Sequence, residues 1–173
     1  NPVSEKNVKV DSPAADSQVS LPITVKGSAR VFENMVSFRI RENDGTVLYE
    51  GVQMANSPDV GQFGPFEKTI DFLTAKSKTA DIVLDVFWNS PMDGSELDVV
   101  SVPLKIDLTK MSAVKAFFLP KDPGNDCGNV FGVERFVEKT SSIAKKSLEV
   151  LLQGITYKEA DKGYATSIPG GVK

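Results

Sequence analysis

Hydrophobic and polar residues alternate over most of the chain up to residue 108, a period that is typical of β-strands with one buried face. The clearest case is residues 23–29, where one face carries apolar or small residues and the other carries polar ones. Pro22 stands at the start of this segment, where a missing N–H does not harm a strand. Gly27, on the inward face, indicates a bulge or a close approach by another part of the chain. We therefore predict a core strand here.

Six further alternating segments surround this strand, and turn sequences separate them. Asn43-Asp44-Gly45 is typical of a β-hairpin, and Ser90 to Gly94 forms a second turn. Asp44 and Asp93 each precede a glycine and are interpreted as turn residues. Short strands at this spacing predict a mainly β fold, a two-sheet antiparallel β-sandwich over residues 1–108. The six segments are 8–10, 36–40, 46–49, 65–72, 82–87 and 100–108.

The pattern changes after Lys110. Two apolar segments, 114–119 and 131–137, predict strands, and apolar residues then recur at helical spacing over 143–152, ending at Gly154. We predict a small, incomplete α/β (α+β) module over residues 112–173. Two strands and one helix make a poor core by themselves. We therefore expect that a further segment of chain or a partner completes this module.

The net charge of −3 is unevenly distributed along the chain. Residues 1–108 carry 10 basic and 16 acidic side chains, whereas residues 109–173 carry 10 basic and 7 acidic ones. This asymmetry favours two modules with differently charged surfaces. No basic block is interleaved with aromatic residues, so we do not expect nucleic-acid binding.

The absence of histidine and the presence of one cysteine argue against most catalytic and metal-binding sites. The chain has no histidine, which removes the commonest general base and the commonest metal ligand. Cys127 is the single cysteine, so it can form neither a cysteine cluster nor an internal disulfide. A reactive thiolate is disfavoured because no histidine can lower its pKa, which leaves a disulfide half or a buried apolar residue. We predict no catalytic, metal or cofactor site and no enzymatic activity.

Aromatic residues near the loops are the candidates for binding. Phe32, Phe63 and Trp88 could stack on sugar rings or anchor a partner protein. The interpretation that we favour is that all three belong to the core. Arg30 and Glu33, at the exit from the core strand, complete the possible partner- or glycan-binding set. Arg135, on the last predicted strand, is expected to pair with a carboxylate rather than with a ligand.

Residues 1–108 resemble the immunoglobulin-like domain of bacterial spore germination, Gmad2. The resemblance rests on five pieces in the same order and spacing. They are Ser12-Pro13, the segment from Leu21 to Ala29, Phe32-Glu33, Gly64-Pro65-Phe66 and the segment from Ser90 to Gly94.

Residues 113–173 resemble the first half of a second family, the GerMN domain of sporulation and spore germination. The segment from Val133 to Val137 is similar to its strand, and Ile155 departs from its pattern, which usually has proline there. The helix, its exit and the following loop resemble the family at Ala144, Leu148, Leu151, Leu152, Gly154, Thr156, Glu159, Gly163, Ser167, Ile168 and Pro169.

The two resemblances imply a non-enzymatic, extracytoplasmic protein of the bacterial cell envelope, exported and lipid-anchored as a lipoprotein. They imply an interaction or assembly role, with an envelope protein or a cell-wall polymer as the partner and self-association as a further option. Membrane contact would come only through a lipid or N-terminal anchor that this chain does not include. In similar sequences a second cysteine lies later in the domain, which would make Cys127 half of a disulfide.

Two other functions stay open at this point. The first is a glycan-binding module that uses Trp88 and nearby loop aromatics on peptidoglycan or another wall polymer. The second and more distant one is a wall hydrolase that relies on carboxylates, since a carboxylate pair is sufficient for glycoside cleavage.

Overall fold

The computed structural model describes residues 6–59, 61–121 and 129–165. In these ranges the chain forms short strands, two α-helices and two single 3-10 turns, joined by loops. The strands are β1 Val8–Ser12, β2 Gln18–Val19, β3 Ile23–Ala29, β4 Met35–Glu42, β5 Val47–Met54, β6 Gly64–Ile70, β7 Phe72–Leu73, β8 Asp81–Asn89, β9 Glu96–Ile106, β10 Met111–Pro120, β11 Phe131–Glu138 and β12 Tyr164–Ala165, and the helices are α1 Ile143–Gln153 and α2 Tyr157–Asp161.

Two sheets account for most of the first 106 residues. One has the order β1-β3-β6, and the other has the order β2-β9-β8-β4-β5. All pairs in them are antiparallel except β2 with β9. The rings of Phe38 in β4 and Phe66 in β6 meet edge to face at 5.5 Å, so both sheets contribute to one core. The prediction of a mainly β chain is confirmed.

The core strand predicted over residues 23–29 is β3, with the predicted faces. Ile23, Val25, Gly27 and Ala29 are buried, and the intervening residues are partly or fully exposed. A Cβ atom added at Gly27 would collide with the backbone carbonyl of Lys9 and with the ring of Phe66. The predicted close approach at Gly27 is therefore confirmed, and it comes from β1 and β6 on either side.

Replacing Gly27 by alanine is expected to lower the free energy of unfolding by about 1–3 kcal/mol, because the new methyl group pushes β1 away from β3. The measurement is the urea midpoint of unfolding. Ser28→Ala is the matched control on the same strand, with an expected change within about 0.5 kcal/mol because Ser28 faces away from the core. Equal midpoints for Gly27→Ala and Ser28→Ala would contradict the close approach.

The outer side of β8 is covered by arginines of β4. Asp85 is 1% exposed and accepts hydrogen bonds from Arg39, Arg41 and Ser101. The guanidinium of Arg39 also lies 4.9 Å from the ring centroid of Phe87. The inner face of β8 is buried by the apolar core, and its outer face is buried by these charged side chains. Simple alternation does not predict that both faces are buried.

A third sheet joins the two predicted modules. Its order is β12-β10-β11-β7, and β7 pairs with β11 through Leu73 opposite Phe136 and Phe72 opposite Val137. A strand from the first 108 residues therefore belongs to the sheet of the second module. The domain limits proposed from the sequence stay a prediction, but the hydrogen-bonded sheet crosses them.

Arg135 of β11 lies where these parts meet. Its side chain is fully buried, its Nη2 atom donates a short hydrogen bond to Glu159, and its guanidinium lies 4.9 Å from the ring centroid of Phe72. The prediction that Arg135 pairs with a carboxylate is confirmed. The pair connects β7, β11 and α2.

The predicted helix forms as α1 and is followed by Gly154 with a φ of 79°. Its apolar stripe is largely solvent-exposed, however: Leu148 is 57% and Leu152 is 55% exposed, and only Val150 of this helix is buried. The short helix α2 falls in a polar segment where the sequence pattern indicated no element. Among the described residues, neither helix has the length and hydropathy required to cross a bilayer.

Candidate functional site

Several chain segments converge at one end of the two large sheets. β3 and β8 end there, and β1, β6 and β9 begin there, as shown by the pairs Val8 with Ala29, Ala29 with Gly64, and Trp88 with Leu97. The residues next to these strand ends include most of the candidates predicted from the sequence. We call the surface formed by Asn7, Arg30, Phe32, Phe63, Trp88 and Asp98 the loop-end surface.

A continuous set of hydrogen bonds connects the polar members of this surface. The indole Nε1 of Trp88 and the amide Nδ2 of Asn7 each donate to Oδ2 of Asp98 at 2.9 Å. Arg30 donates to Oδ1 of Asn7 from Nε at 3.1 Å and from Nη2 at 3.0 Å. These bonds join the two sheets and hold the indole and the guanidinium in fixed orientations.

Asp98 is charged at neutral pH and anchors the set. Partial burial opposes its charge, but the hydrogen bonds from Trp88 and Asn7 outweigh this effect and hold the pKa of Asp98 below its ordinary value. Its backbone has a φ of 53°, a left-handed conformation that aspartate tolerates better than most residues. The acceptor for Trp88 is thus present throughout the physiological pH range.

Phe63 supports two cations. The Nζ atom of Lys9 lies 4.5 Å and the Cζ atom of Arg30 lies 4.9 Å from the centroid of its ring. Such contacts stabilise a cation over an aromatic face by about 0.5–1 kcal/mol at exposed sites. The ring therefore positions Arg30 and is partly covered by the two cations.

Phe32 and Glu33 lie on the neighbouring 3-10 turn, Phe32–Asn34, which precedes β4. The turn contains left-handed residues, with a φ of 52° at Glu33 and of 56° at Asn34. Phe32 is 54% exposed, and the cross-strand partners Met35 and Met54 next to the turn are exposed as well. An apolar patch therefore adjoins the hydrogen-bonded set.

The structure thus brings together Arg30, Phe63 and Trp88, and places Phe32 and Glu33 beside them. The expectation that Phe32 packs in the core was wrong: Phe32 is 54% exposed, and it lies on a turn outside the strands of both sheets, where no residue is buried. Phe63 and Trp88 are partly exposed rather than fully buried. Whether these five residues bind a partner stays a prediction. Cys127 lies outside the described residues, as do Ser167, Ile168 and Pro169.

Asn7 and Asp98 are the members of the surface that sequence reasoning missed. They are separated by 91 positions, so no local pattern connects them. The only sequence signal is their location, since each lies beside the first apolar residues of an alternating segment.

The buried carboxylates in the described ranges each have structural partners. Asp85 and Glu159 are bound by arginines, and Glu42 accepts from the Oγ of Ser77 and the backbone N–H of Lys78. No three histidine, cysteine, aspartate or glutamate side chains in those ranges are grouped so as to hold a metal ion. The chemistry that the loop-end surface offers is therefore recognition by aromatic rings, a guanidinium and a carboxylate.

Comparison with protein families shows that residues 7–95, just over half of the chain, match the family described as the immunoglobulin-like domain of bacterial spore germination, Gmad2. The matched segment contains every member of the loop-end surface except Asp98. No curated protein and no solved structure matches the chain.

Proposed function

Because this chain belongs to the Gmad2 family of immunoglobulin-like domains of bacterial spore germination, we propose that it is a non-enzymatic binding and assembly module of the bacterial cell envelope. The observation that carries this proposal is the loop-end surface. It combines an immobilised tryptophan and arginine with an exposed phenylalanine, and these residue types dominate the energetics of protein interfaces.

The order of this surface favours binding. Side chains that are held in place before association lose little conformational entropy when a partner docks. Trp88 and Arg30 are held by Asp98 and Asn7, whereas Phe32 adds apolar area that is exposed to solvent. We propose an envelope protein as the partner, contacted by Phe32 and the two neighbouring methionines at the centre and by Arg30 at the rim.

The remaining parts of the proposal rest on resemblance. The motifs from Val133 to Gly163 support a GerMN-type second module that takes part in assembly. An exported, lipid-anchored location follows from the same likeness. We propose in addition that Cys127 is half of a disulfide whose other cysteine lies outside this chain.

Phe32→Ser is expected to weaken capture of an envelope partner about tenfold or more, since exposed aromatic anchors contribute on the order of 1–2 kcal/mol or more to binding. The measurement is quantitative recovery from an envelope extract on immobilised protein. Phe117→Ser is the matched control, because Phe117 is a similarly exposed phenylalanine in the second module. Equal recovery by the native protein and the Phe32→Ser variant would reject the surface as the binding site.

A second candidate, binding of peptidoglycan or another wall glycan, is favoured by Trp88, a partly exposed indole fixed by its bond to Asp98. Trp88 is the single tryptophan of the chain, so its fluorescence reports on this site without interference. If soluble wall fragments quench the fluorescence of Trp88 and a protein extract does not, the result would favour a glycan over a protein as the partner. An unchanged spectrum with all fragments would exclude it.

A further inference from the structure

A cleft of about 610 Å³ separates the five-stranded sheet from the second module. Glu50 and Val52 of β5 line one wall, and the segment from Gly132 to Glu134 of β11 lines the other. Thr74 and Ala75, which directly follow β7, lie at one end. The volume falls in the range of roughly 300–1,000 Å³ that is typical of ligand sites. The cleft is distinct from the loop-end surface.

The β11 wall includes an open strand edge. β11 pairs with β10 from Phe131 to Glu138, but on its other side it pairs with β7 only at Phe136 and Val137. In the described part of the chain, residues 131–135 have no strand neighbour on that side. An unpaired row of N–H and C=O groups is a template for another strand.

The open edge begins where β7 stops. Leu73 lies opposite Phe136, so a straight continuation would place Thr74 and Ala75 opposite Arg135 and Glu134. The chain instead bends away, and the N–H of Thr74 donates to the carbonyl of Leu48 in β5. Among the described residues, β7 therefore covers this edge of β11 only at Phe136 and Val137, and the rest of the edge borders the cleft.

We propose that the cleft binds an extended peptide segment of a partner protein, which adds to β11 as an antiparallel strand and continues the position of β7. Main-chain hydrogen bonds supply affinity in such strand addition, and alternate side chains of the peptide enter the pockets on each side. Gly132 helps the approach, because it presents no side chain on this stretch of β11.

The side chains around the cleft define the chemistry of the peptide. The carboxylate on the β11 wall is Glu134, whereas the other glutamates of the lining, Glu50, Glu96 and Glu159, have interactions of their own, with Arg39 for Glu96 and Arg135 for Glu159. Lys162 is the lysine in the lining. The apolar surface comes from Val52, Phe87, Val133 and Tyr164. A peptide with a lysine or arginine next to apolar residues, in alternation, complements this lining.

The test uses a displayed library of random octapeptides selected on the full chain. We expect enrichment of sequences that alternate apolar residues with lysine or arginine. A synthetic peptide of the enriched sequence is expected to slow hydrogen exchange at those amides of residues 131–135 that point away from β10, because it gives that edge new hydrogen bonds. No enrichment, or enriched peptides that leave exchange in β11 unchanged, would overturn the proposal.

Two variants locate the site. Ala75→Trp fills the end of the cleft and Glu134→Lys reverses a charge on its wall, and each is expected to weaken peptide binding about tenfold. Lys139→Glu, a charge reversal on an exposed residue that follows β11 and does not line the cleft, is the control and is expected to bind normally. Glu134→Lys keeps the test decisive if Ala75→Trp does not fold. Undiminished peptide binding by a folded Glu134→Lys variant would refute the site. The Phe32→Ser variant, which alters the loop-end surface, is expected to bind the peptide normally.

Discussion

Replacing Glu159 by alanine is expected to lower the free energy of unfolding by about 3–5 kcal/mol. The carboxylate of Glu159 is the counter-ion of Arg135, and both side chains are buried. Without this carboxylate, the guanidinium charge of Arg135 stays in the interior with no counter-ion among the described residues. The Nε atom of Arg135 already finds no hydrogen-bond partner in that part of the chain. The same carboxylate accepts from the backbone N–H of Thr156, so α2 also loses its first-turn bond. The urea midpoint of unfolding measures the loss.

Two further variants distinguish an unpaired charge from a simple loss of contacts. The double change Arg135→Met with Glu159→Leu removes both charges and is expected to recover most of the stability. Glu149→Ala removes a carboxylate that pairs with Lys145 and Lys146 on the surface, with an expected effect within about 1 kcal/mol. A Glu159→Ala protein as stable as the Glu149→Ala protein would contradict the role given to the buried pair.

Replacing Asp85 by asparagine is expected to lower the free energy of unfolding by about 2–4 kcal/mol near neutral pH. Asparagine keeps the volume of the side chain but loses the charge and one of two acceptor oxygens, of which Oδ2 accepts from Arg39 and Arg41 and Oδ1 accepts from Arg41 and Ser101. Asp81→Asn is the control on the same strand, because Asp81 forms an exposed pair with Lys105 that contributes little. Equal unfolding midpoints for the two variants would contradict the stabilising role given to Asp85.

The effect of Asp85 depends on pH. Burial opposes its charge, but hydrogen bonds from Arg41, Ser101 and Arg39 prevail and lower the pKa of Asp85 from its ordinary value of 3.8. A carboxyl group whose pKa is lowered by folding stabilises the protein above its unfolded-state pKa, and this contribution is lost as the pH falls through the folded-state pKa. The difference between the native protein and Asp85→Asn is therefore expected to be complete near neutral pH and to shrink in acid. A difference that grew on acidification would contradict the assignment.

Elements that depend on neighbouring residues were predictable from the sequence. β3 follows from strict alternation, and the hairpin between β4 and β5 follows from Asn43-Asp44-Gly45, where the N–H of Thr46 is bound by the Asp44 side chain. The helix α2 also had a local signal that we missed. Thr156 and Glu159 have the spacing of a capping box, in which the glutamate side chain accepts a hydrogen bond from the backbone N–H of the N-cap residue, here Thr156.

Features that depend on distant residues were not predictable in this way. The transfer of β7 to the sheet of β11 pairs residues more than sixty positions apart, and a two-residue strand has no periodicity to read. The apolar stripe of α1 predicts that the helix has an apolar face but cannot say which side is covered. For the loop-end surface, the aromatic candidates were found by type, whereas Asn7 and Asp98, which hold them in place, were not.

The pairing of β7 with β11 affects how this protein can be divided into fragments or fused to other proteins. A fragment that ended at residue 108 would keep Phe72 and Leu73 but would lose Phe136 and Val137, the residues paired with them. A fragment that began after that position would leave Phe136 and Val137 of β11 without their partners in β7, and Arg135 without the ring of Phe72. We therefore expect the length from β1 to β12 to be the unit that transfers intact, and a graft of the immunoglobulin-like part alone to need a substitute for the β11 residues that pair with β7.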